Sequence, residues 1–162
     1  MLTPSQQSFL TSAALASVQS QSVYGVPAEL TLPQALEESG WGKSAPYNNC
    51  LGIKANGRGI GTFVTPTQEF VGGHWITVEL AFERYASLKA CFDDHGWLIS
   101  HGSPYKAAWL RYNASHDIPT LIMDVGHVYA TAPAYADAIL ALSQQTNVMD
   151  ALKIARASVL GH

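Results

Sequence analysis

The middle of the 162-residue chain restricts most strongly the folds that it can adopt. Six glycines and three asparagines fall between positions 40 and 61, and this density predicts a loop. Two segments, 63–71 and 74–80, then flank Gly72-Gly73, a two-residue turn signal for a β-hairpin. Polar and apolar residues alternate through the second segment, as in a strand with one face buried. The centre of the chain therefore predicts a small β insertion.

Helical patterns lie on both sides of this insertion. Thr3, Pro4 and Gln6 have the spacing of a capping box, and the apolar stripe that follows ends near Gly25. A second helix covers 27–39. After Ser87 the helical stripes return, and they are formed by Leu88, Cys91, Phe92 and Leu98, by Leu121, Ile122, Val125 and Val128, by Ala138, Ile139 and Leu142, and by Ala151, Leu152, Ala155 and Val159.

Two helix boundaries need a specific interpretation. Pro33 lies inside the second helix, and it predicts either a kink there or a restart with Thr31 as the cap and Gln34 as its partner. Gly40 is expected to end this helix. Asn147 is predicted to cap the last helix.

Composition and charge exclude several classes of protein. Nine Lys and Arg against twelve Asp and Glu give a net charge of -3, which argues against a basic nucleic-acid surface and a polybasic membrane anchor. Hydrophobic residues make up 48% of the chain, so it is not a disordered chain. No apolar run approaches the roughly 18 residues of a membrane helix. The first seven residues contain no Lys or Arg, and we therefore expect no secretory signal.

Cysteine and histidine patterns predict neither a disulfide framework nor a metal site. Cys50 and Cys91 permit at most one bridge, and we interpret them as two buried free thiols. None of the six histidines falls in an HExxH or CxxC pattern. We expect no metal and no cofactor.

Glu37 and Glu38 are the most informative pair of residues. They end the second helix directly before Gly40-Trp41-Gly42, so a carboxylate lies at the edge of a polar loop with an indole close by. Such an environment raises the pKa of a carboxyl group and allows it to donate a proton near neutral pH. Adjacent helical positions point about 100° apart, so we expect at most one of the two in a cleft. The alternative is that both are solvated surface residues.

Several segments together resemble one family. They match in order the glucosaminidase domains of peptidoglycan hydrolases, glycoside hydrolase family 73, the type found in flagellar muramidases, autolysins and phage lysins. The resemblance covers residues 5–145 and is carried by Ala-Leu-Glu-Glu-Ser-Gly-Trp-Gly-Lys-Ser (35–44), Asn-Cys-Leu-Gly-Ile-Lys (49–54), Thr-Gln-Glu-Phe-Val-Gly-Gly (67–73), Phe-Glu-Arg-Tyr (82–85) and Tyr-Ala-Thr-Ala-Pro-Ala-Tyr-Ala (129–136).

The resemblance implies a role for particular residues. Glu38, directly before Ser-Gly-Trp-Gly, corresponds to the catalytic acid, and Glu69 on the hairpin corresponds to the second carboxylate. Tyr129 is assigned to the catalytic site, where its hydroxyl orients water or the acetamido group of the substrate. The residues assigned to substrate binding are Trp41, Asn49, Lys54 and Tyr135.

Alternatives remain for each assignment. Glu69 can be an exposed strand residue, with Glu79 or Glu83 as the second carboxylate. Tyr129 and Tyr135 can be tyrosines at the edge of the core. Trp41 and Trp97 can stack on sugar rings or pack in the core, and for Trp97, on a helix, packing is the preferred interpretation. The sequence also departs from the family pattern at Pro33, Cys50, Leu51 and Ala132, which affects details of substrate binding.

From this resemblance we expect a lysozyme-like α+β fold. Residues 1–162 would form a single catalytic domain with a mainly helical lobe, a small β-hairpin lobe and a glycan groove between them. The expected reaction is hydrolysis of the β-1,4 bond after N-acetylglucosamine in peptidoglycan. Carboxylates ~6.5–9.5 Å apart would leave room for a water and predict inversion. A larger separation would favour hairpin closure or participation of the 2-acetamido group.

The remaining expectations concern partners and rival functions. The partner is the peptidoglycan glycan strand, and we expect a monomer with no nucleic acid and no membrane insertion. We expect the protein to act on the cell wall, in the periplasm or outside the cell, after export by a route that the sequence does not identify. One rival is a cell-wall-binding module without catalysis. The other is an amidase or peptidase that uses Cys50 with His95 or His101.

Overall fold

A computed structural model describes residues 1–161. Within this range the chain forms seven α-helices and one two-stranded hairpin, with single 3₁₀ turns at Pro46–Asn48 and Ser103–Tyr105. In chain order the elements are α1 (Pro4–Tyr24), α2 (Ala28–Ser39), β1 (Thr62–Val71), β2 (His74–Glu83), α3 (Leu88–His101), α4 (Lys106–Ser115), α5 (Ile118–Tyr129), α6 (Tyr135–Ser143) and α7 (Thr146–Leu160). The predicted order of helices, β insertion and helices is confirmed.

The hairpin forms as predicted. β1 pairs with β2 in one antiparallel register, with Val71 opposite His74. Gly72 and Gly73 have φ angles of +59° and +81°, and a two-residue hairpin turn of type I′ requires positive values at both positions. Because side chains alternate between the two faces of a strand, the register decides which residues face the helices.

Helix starts and ends depend on local hydrogen bonds. The predicted capping box of α1 is confirmed, because the Thr3 hydroxyl accepts from the Gln6 N–H and the Gln6 side chain accepts from the Thr3 N–H. The predicted Asn147 cap is wrong. α7 starts at Thr146, and the carbonyl of Gln145 accepts the first N–H groups of the helix. α4 was not predicted, since Ala108 is its only buried residue and it has no apolar stripe.

α2 is a continuous helix, so of the two alternatives at Pro33 the restart at Thr31 is wrong. Pro33 removes one intrahelical hydrogen bond, the one that would reach the carbonyl of Glu29. Every residue from Leu30 to Leu36 is buried. Packing on all sides outweighs the local cost of the proline, because tertiary contacts override helix propensity.

The core has two adjoining clusters of buried side chains, and α2 contributes to both. Leu32 and Leu36 pack in one cluster with residues of α1, α3 and α7. Leu30 packs in the other with residues of α3, α4, α5 and α6. α2 is therefore the central helix, and its C-terminal end is held in place from several directions.

The glycine-rich loop is tied to the base of the hairpin. The carboxylate of Glu83 is buried and accepts hydrogen bonds from the N–H groups of Asn56, Gly57 and Gly59 at 2.8 to 3.0 Å. Lys54 forms an isolated antiparallel bridge with Phe82. A mainly helical body with a small hairpin arm results, which confirms the predicted α+β class.

Candidate active site

A groove separates the hairpin arm from the helical body. The end of α2 forms its floor, the hairpin forms one wall, and the end of α5 with the loop to α6 forms the other. The residues that border it are Glu37, Glu38, Gly52, Lys54, Thr67, Gln68, Glu69, Trp75, Phe82, Val128, Tyr129, Ala130, Thr131, Ala132 and Tyr135. Five of the seven predicted site residues, Glu38, Lys54, Glu69, Tyr129 and Tyr135, are therefore brought together here.

The end of α2 directs Glu38 into this groove. Gly40 follows the helix in the left-handed conformation, and the N–H of Trp41 donates to the carbonyl of Leu36 at 2.8 Å. This bond spans six residues and is typical of the Schellman motif, in which the residue after the glycine makes an apolar contact with the helix. The Trp41 side chain packs against the core cluster that includes Leu36. The Ser-Gly-Trp-Gly segment thus fixes the last turn of the helix that carries Glu38.

The pKa of the Glu38 carboxyl is raised from 4.5 to about 7. Glu38 is exposed to solvent within the groove, but the groove walls displace part of the water around its carboxyl, and this desolvation is the largest cause. A polar contact with the Tyr135 hydroxyl acts in the opposite direction, and the charges of Glu37 and Glu69 add to the increase. Glu38 is therefore suited to donate a proton near neutral pH.

Glu37 also borders the groove, so the expectation that at most one of the two glutamates reaches the cleft is wrong. The two differ in what packs against them. A Cβ atom at Gly52 would lie 2.8 Å from Oε2 of Glu38, so this carboxyl lies against the glycine-rich loop.

A buried polar chain beneath Glu38 was missed by the sequence analysis. His95 Nε2 lies 2.9 Å from Oε1 of Gln34, and Nε2 of Gln34 donates to the Tyr135 hydroxyl at 3.1 Å. Burial lowers the pKa of His95 to about 3, so its ring is neutral and its Nε2 can donate to Gln34. The Tyr135 hydroxyl is then free to donate to Glu38. The available signal was Gln34, which precedes Glu38 by four positions on one helix face.

Glu69 lies across the groove and is held as an anion. Its Oε2 accepts from the Thr131 hydroxyl at 2.6 Å, and its Oε1 accepts from Nζ of Lys54 at 3.2 Å. These partners lower the pKa of Glu69, with the Thr131 hydrogen bond the largest cause. The pKa values of the two groove carboxyls are thus shifted in opposite directions. This pattern lets one carboxyl act as an acid while the other stays an anion in the same site.

The two rival glutamates occupy other environments. Glu79 pairs with Pro66 in the register, so it lies on the opposite face of the hairpin from Glu69, which pairs with Ile76. Glu83 is 1% exposed, and the loop amides occupy its carboxylate. Neither borders the groove.

Tyr129 borders the groove, but its hydroxyl donates to the carbonyl of Leu51. Its ring lies parallel to that of Tyr135, with centroids 6.0 Å apart. Desolvation raises the pKa of Tyr129 well above its usual value, so the phenol stays neutral. Through this hydrogen bond Tyr129 holds the loop beside Gly52. Its catalytic role stays a prediction.

The other predicted binding residues lie at different depths. The Asn49 amide is buried and bonded to the backbone of Ile53 and Glu83, which makes it a support for the loop. Trp41 is not among the residues that border the groove. The Lys54 ammonium is engaged by Glu69. Direct contact of Trp41, Asn49, Lys54 and Tyr135 with substrate stays a prediction.

Both cysteines are free and buried, as predicted. Contact with Cys91 and desolvation raise the pKa of Cys50, which is the opposite of what a thiolate nucleophile requires. Trp97 is covered by the Arg58 guanidinium, 3.5 Å from the ring centroid. Its role as a packing residue agrees with this contact.

Residues 1–161 contain no group of three or more His, Cys, Asp and Glu side chains placed to hold a metal ion. No helix in the same range is long and apolar enough to cross a membrane.

A raised and a lowered carboxyl pKa across a groove, on a helical body with a hairpin arm, fit the acid and the anion of a glycoside hydrolase. Residues 14–148 match the family model described as Glucosaminidase, mannosyl-glycoprotein endo-beta-N-acetylglucosaminidase. The chain belongs to the glucosaminidase family of peptidoglycan hydrolase domains.

Named relatives agree with this membership. Peptidoglycan hydrolase FlgJ of Escherichia coli strain K12 is 35% identical over 142 residues, which cover 82% of this chain and 43% of the relative. A probable N-acetylmuramidase of Lactococcus lactis subsp. cremoris strain MG1363 is 30% identical over 155 residues, which cover 90% of this chain and 35% of the relative. The chain thus spans about a third of the length of the lactococcal relatives.

A solved structure confirms the fold. A peptidoglycan hydrolase mutant from Sphingomonas sp. A1 superposes with a TM-score of 0.77 at 25% identity, covering 91% of this chain and 99% of that one. The predicted lysozyme-like fold is therefore confirmed.

Proposed function

We propose that this chain hydrolyses the β-1,4 glycosidic bond after N-acetylglucosamine in peptidoglycan. The observation that carries the proposal is the Glu38 carboxyl, with a pKa of about 7, in the same groove as the ionised Glu69. Glycoside hydrolysis requires a carboxyl group that is protonated at working pH and a second group that stabilises positive charge or activates water. Membership of the glucosaminidase family supports the same reaction.

In the proposed mechanism Glu38 protonates the oxygen of the leaving sugar as the bond to the anomeric carbon breaks. Glu69 stabilises the positive charge on the sugar ring or takes a proton from the attacking water. Water adds its oxygen to the anomeric carbon and gives up one proton. In the inverting route Glu69 accepts this proton and exchange with solvent returns a proton to Glu38, whereas in the acetamido route Glu38 accepts it directly. Inversion through a water held by Glu69 and participation of the 2-acetamido group remain the two routes.

The two rivals have less support. A wall-binding module without catalysis does not need two carboxyls with opposed pKa shifts. A cysteine amidase needs an accessible thiol of lowered pKa, whereas Cys50 is 1% exposed and its pKa is raised. His95, one proposed partner, is fully buried and bonded to Gln34.

We propose further that residues 1–162 act as one catalytic domain and as a monomer on glycan strands, outside the cytoplasm, in the periplasm or at the cell surface. The two core clusters share α2, which supports a single unit. Gel filtration tests the monomer, since a mass near 17.4 kDa is expected.

Mass spectrometry of digested, purified sacculi tests the reaction. We expect fragments with N-acetylglucosamine at the new reducing end, and Glu38→Gln treated in parallel is the matched control. N-acetylmuramic acid at that end would contradict the proposed bond specificity. Peptides released from intact glycan strands would contradict the whole proposal in favour of an amidase.

A further inference from the structure

The segment that runs from the end of α5 to the first residue of α6 lies beside both groove carboxyls. At its end, Tyr135 borders the groove together with Glu38, and its hydroxyl lowers the pKa of that carboxyl. Four residues earlier, the Thr131 hydroxyl donates to Oε2 of Glu69 at 2.6 Å. One short piece of backbone therefore lies beside the carboxyl on the floor of the groove and the carboxyl on the hairpin wall.

Thr131 has a second hydrogen bond with the hairpin. Its Oγ1 accepts from the backbone N–H of Phe70 at 2.9 Å while it donates to Glu69. A hydroxyl has one proton and two lone pairs, so both bonds can form together. The Phe70 N–H is available because Val71 and His74 form the first bonded pair after the turn, and the next pair, Phe70 and Trp75, directs its N–H groups away from the partner strand.

The loop that carries Thr131 is itself fixed at both ends. Tyr129 donates to the carbonyl of Leu51, and Tyr135 is buried against Gln34. The N–H of Tyr135 donates to the carbonyl of Ala132 at 3.1 Å, which closes a turn within the loop. Thr131 is thus a point on the helical body to which the tip of the hairpin is attached.

We propose that Thr131 is a positioning residue that latches the hairpin across the groove and holds the Glu69 carboxylate at a fixed distance from Glu38. The proposal rests on the function proposed above. Thr131 acts through Glu69 and the Phe70 amide, and this role requires no contact between Thr131 and the sugar. The hydrogen bond from the Phe70 N–H to Thr131 is specific to this role and can be measured.

The charged and titratable groups that face Glu69 come from every wall of the groove. They are Lys54 from the glycine-rich loop, Glu37 and Glu38 from α2, Tyr129 from α5 and Tyr135 from α6. Thr131 and Lys54 both lower the pKa of Glu69, and the Thr131 hydrogen bond is the largest single cause. Loss of the hydroxyl should raise this pKa, so Glu69 would be protonated at a higher pH. The acid limb of the activity profile should then move to higher pH.

The test compares Thr131→Val, which keeps the shape and removes the hydroxyl, with Thr131→Ser, which keeps the hydroxyl. Thr146→Val, at the exposed start of α7, is the matched control. Amide hydrogen exchange at Phe70 is measured by NMR in each protein. We expect exchange to be about fivefold to tenfold faster in Thr131→Val, the factor that one hydrogen bond contributes, and close to the parent in the other two.

The same variants are assayed on soluble peptidoglycan fragments across a pH series. We expect Thr131→Val to lower kcat more than it raises KM and to move the acid limb to higher pH, with rescue in Thr131→Ser. Unchanged Phe70 exchange in Thr131→Val would overturn the latch. Faster exchange with an unchanged acid limb would overturn the positioning role. An inactive parent protein would instead contradict the proposed function, because amide exchange requires no turnover.

Discussion

Gly52 lies directly against the carboxylate of Glu38, so closely that a Cβ atom at position 52 would be 2.8 Å from Oε2. Gly52 also has a φ of +61°, which disfavours any side chain. The position of the Glu38 carboxylate therefore depends on the absence of a side chain at Gly52. A side chain at position 52 would move the carboxyl that is proposed to donate the proton.

Gly52→Ala is expected to lower hydrolysis of purified sacculi by tenfold or more, on the order of what displacement of a catalytic group costs. Gly57→Ala is the matched control, since Gly57 has a φ of +75° and no atom within 4 Å of the added Cβ. Both variants should lose a similar ~1–2 kcal/mol of stability from the left-handed backbone. Equal activity in the two variants, measured with equal folded fractions, would contradict this dependence of Glu38 on Gly52.

Glu38→Gln should reduce peptidoglycan hydrolysis by at least ~10²-fold, because the amide cannot supply the proton that the leaving oxygen needs. Circular dichroism should show an unchanged fold. Glu37→Gln, which alters the neighbouring carboxyl at the groove edge, should remain within a few-fold of the parent. Activity near that of the parent in Glu38→Gln would remove Glu38 from its proposed role.

Tyr135→Phe should change the pH dependence of activity. The Tyr135 contact lowers the pKa of Glu38, so its loss should raise that pKa above about 7. A general acid works only while it is protonated, and the basic limb of the profile should move to higher pH. The measurement is kcat/KM across pH 5–9, and a basic limb that stays in place or moves to lower pH would refute the contact.

Glu69→Gln should lower turnover strongly while glycan binding, measured by co-sedimentation with sacculi, changes little. A charge needed only as the bond breaks contributes little to ground-state affinity. Glu79→Gln should be nearly neutral, since Glu79 lies on the opposite face of the hairpin. Glu83→Gln should lower the Tm, because the buried carboxylate accepts three backbone N–H groups.

If Glu79 or Glu83 proves essential for turnover in folded protein, the assignment of the second carboxylate is incorrect. If all three variants remain active, the acetamido route gains support, with Glu38 as the only protein carboxyl that the reaction requires.

Cys50→Ala should keep the activity of the folded fraction and lower the free energy of unfolding by no more than a few kcal/mol. Cys50 packs in the core beside Cys91, and neither borders the groove. Turnover per folded molecule is the measurement. A well-folded but inactive Cys50→Ala protein would restore the cysteine nucleophile as a hypothesis.

The sequence predicts best those features that depend on neighbouring residues. The Thr3 capping box and the Gly72-Gly73 turn were identified from local patterns alone, and both are confirmed. The restart at Thr31 was wrong because the helix is stabilised by packing from distant elements, which no local pattern reports.

Within the site, too, local features were predicted, whereas contacts between distant residues were not. The family resemblance placed Glu38 and Glu69 in one groove, where the structure also has them. The bonds from Thr131 to Glu69 and from Gln34 to Tyr135 join residues 62 and 101 positions apart. Such pairs depend on how the helices pack, so their partners could not be assigned from spacing.

The hairpin register has a consequence for how this arm can vary in length. Because side chains alternate along a strand, one inserted or deleted residue between Glu69 and the base of β1 would turn that carboxylate to the opposite face. Insertion or deletion of two residues in each strand would shift the tip by ~7 Å and keep the face. Tolerated insertions and deletions in this arm should therefore come in multiples of two residues per strand, whereas the helical body imposes no such parity.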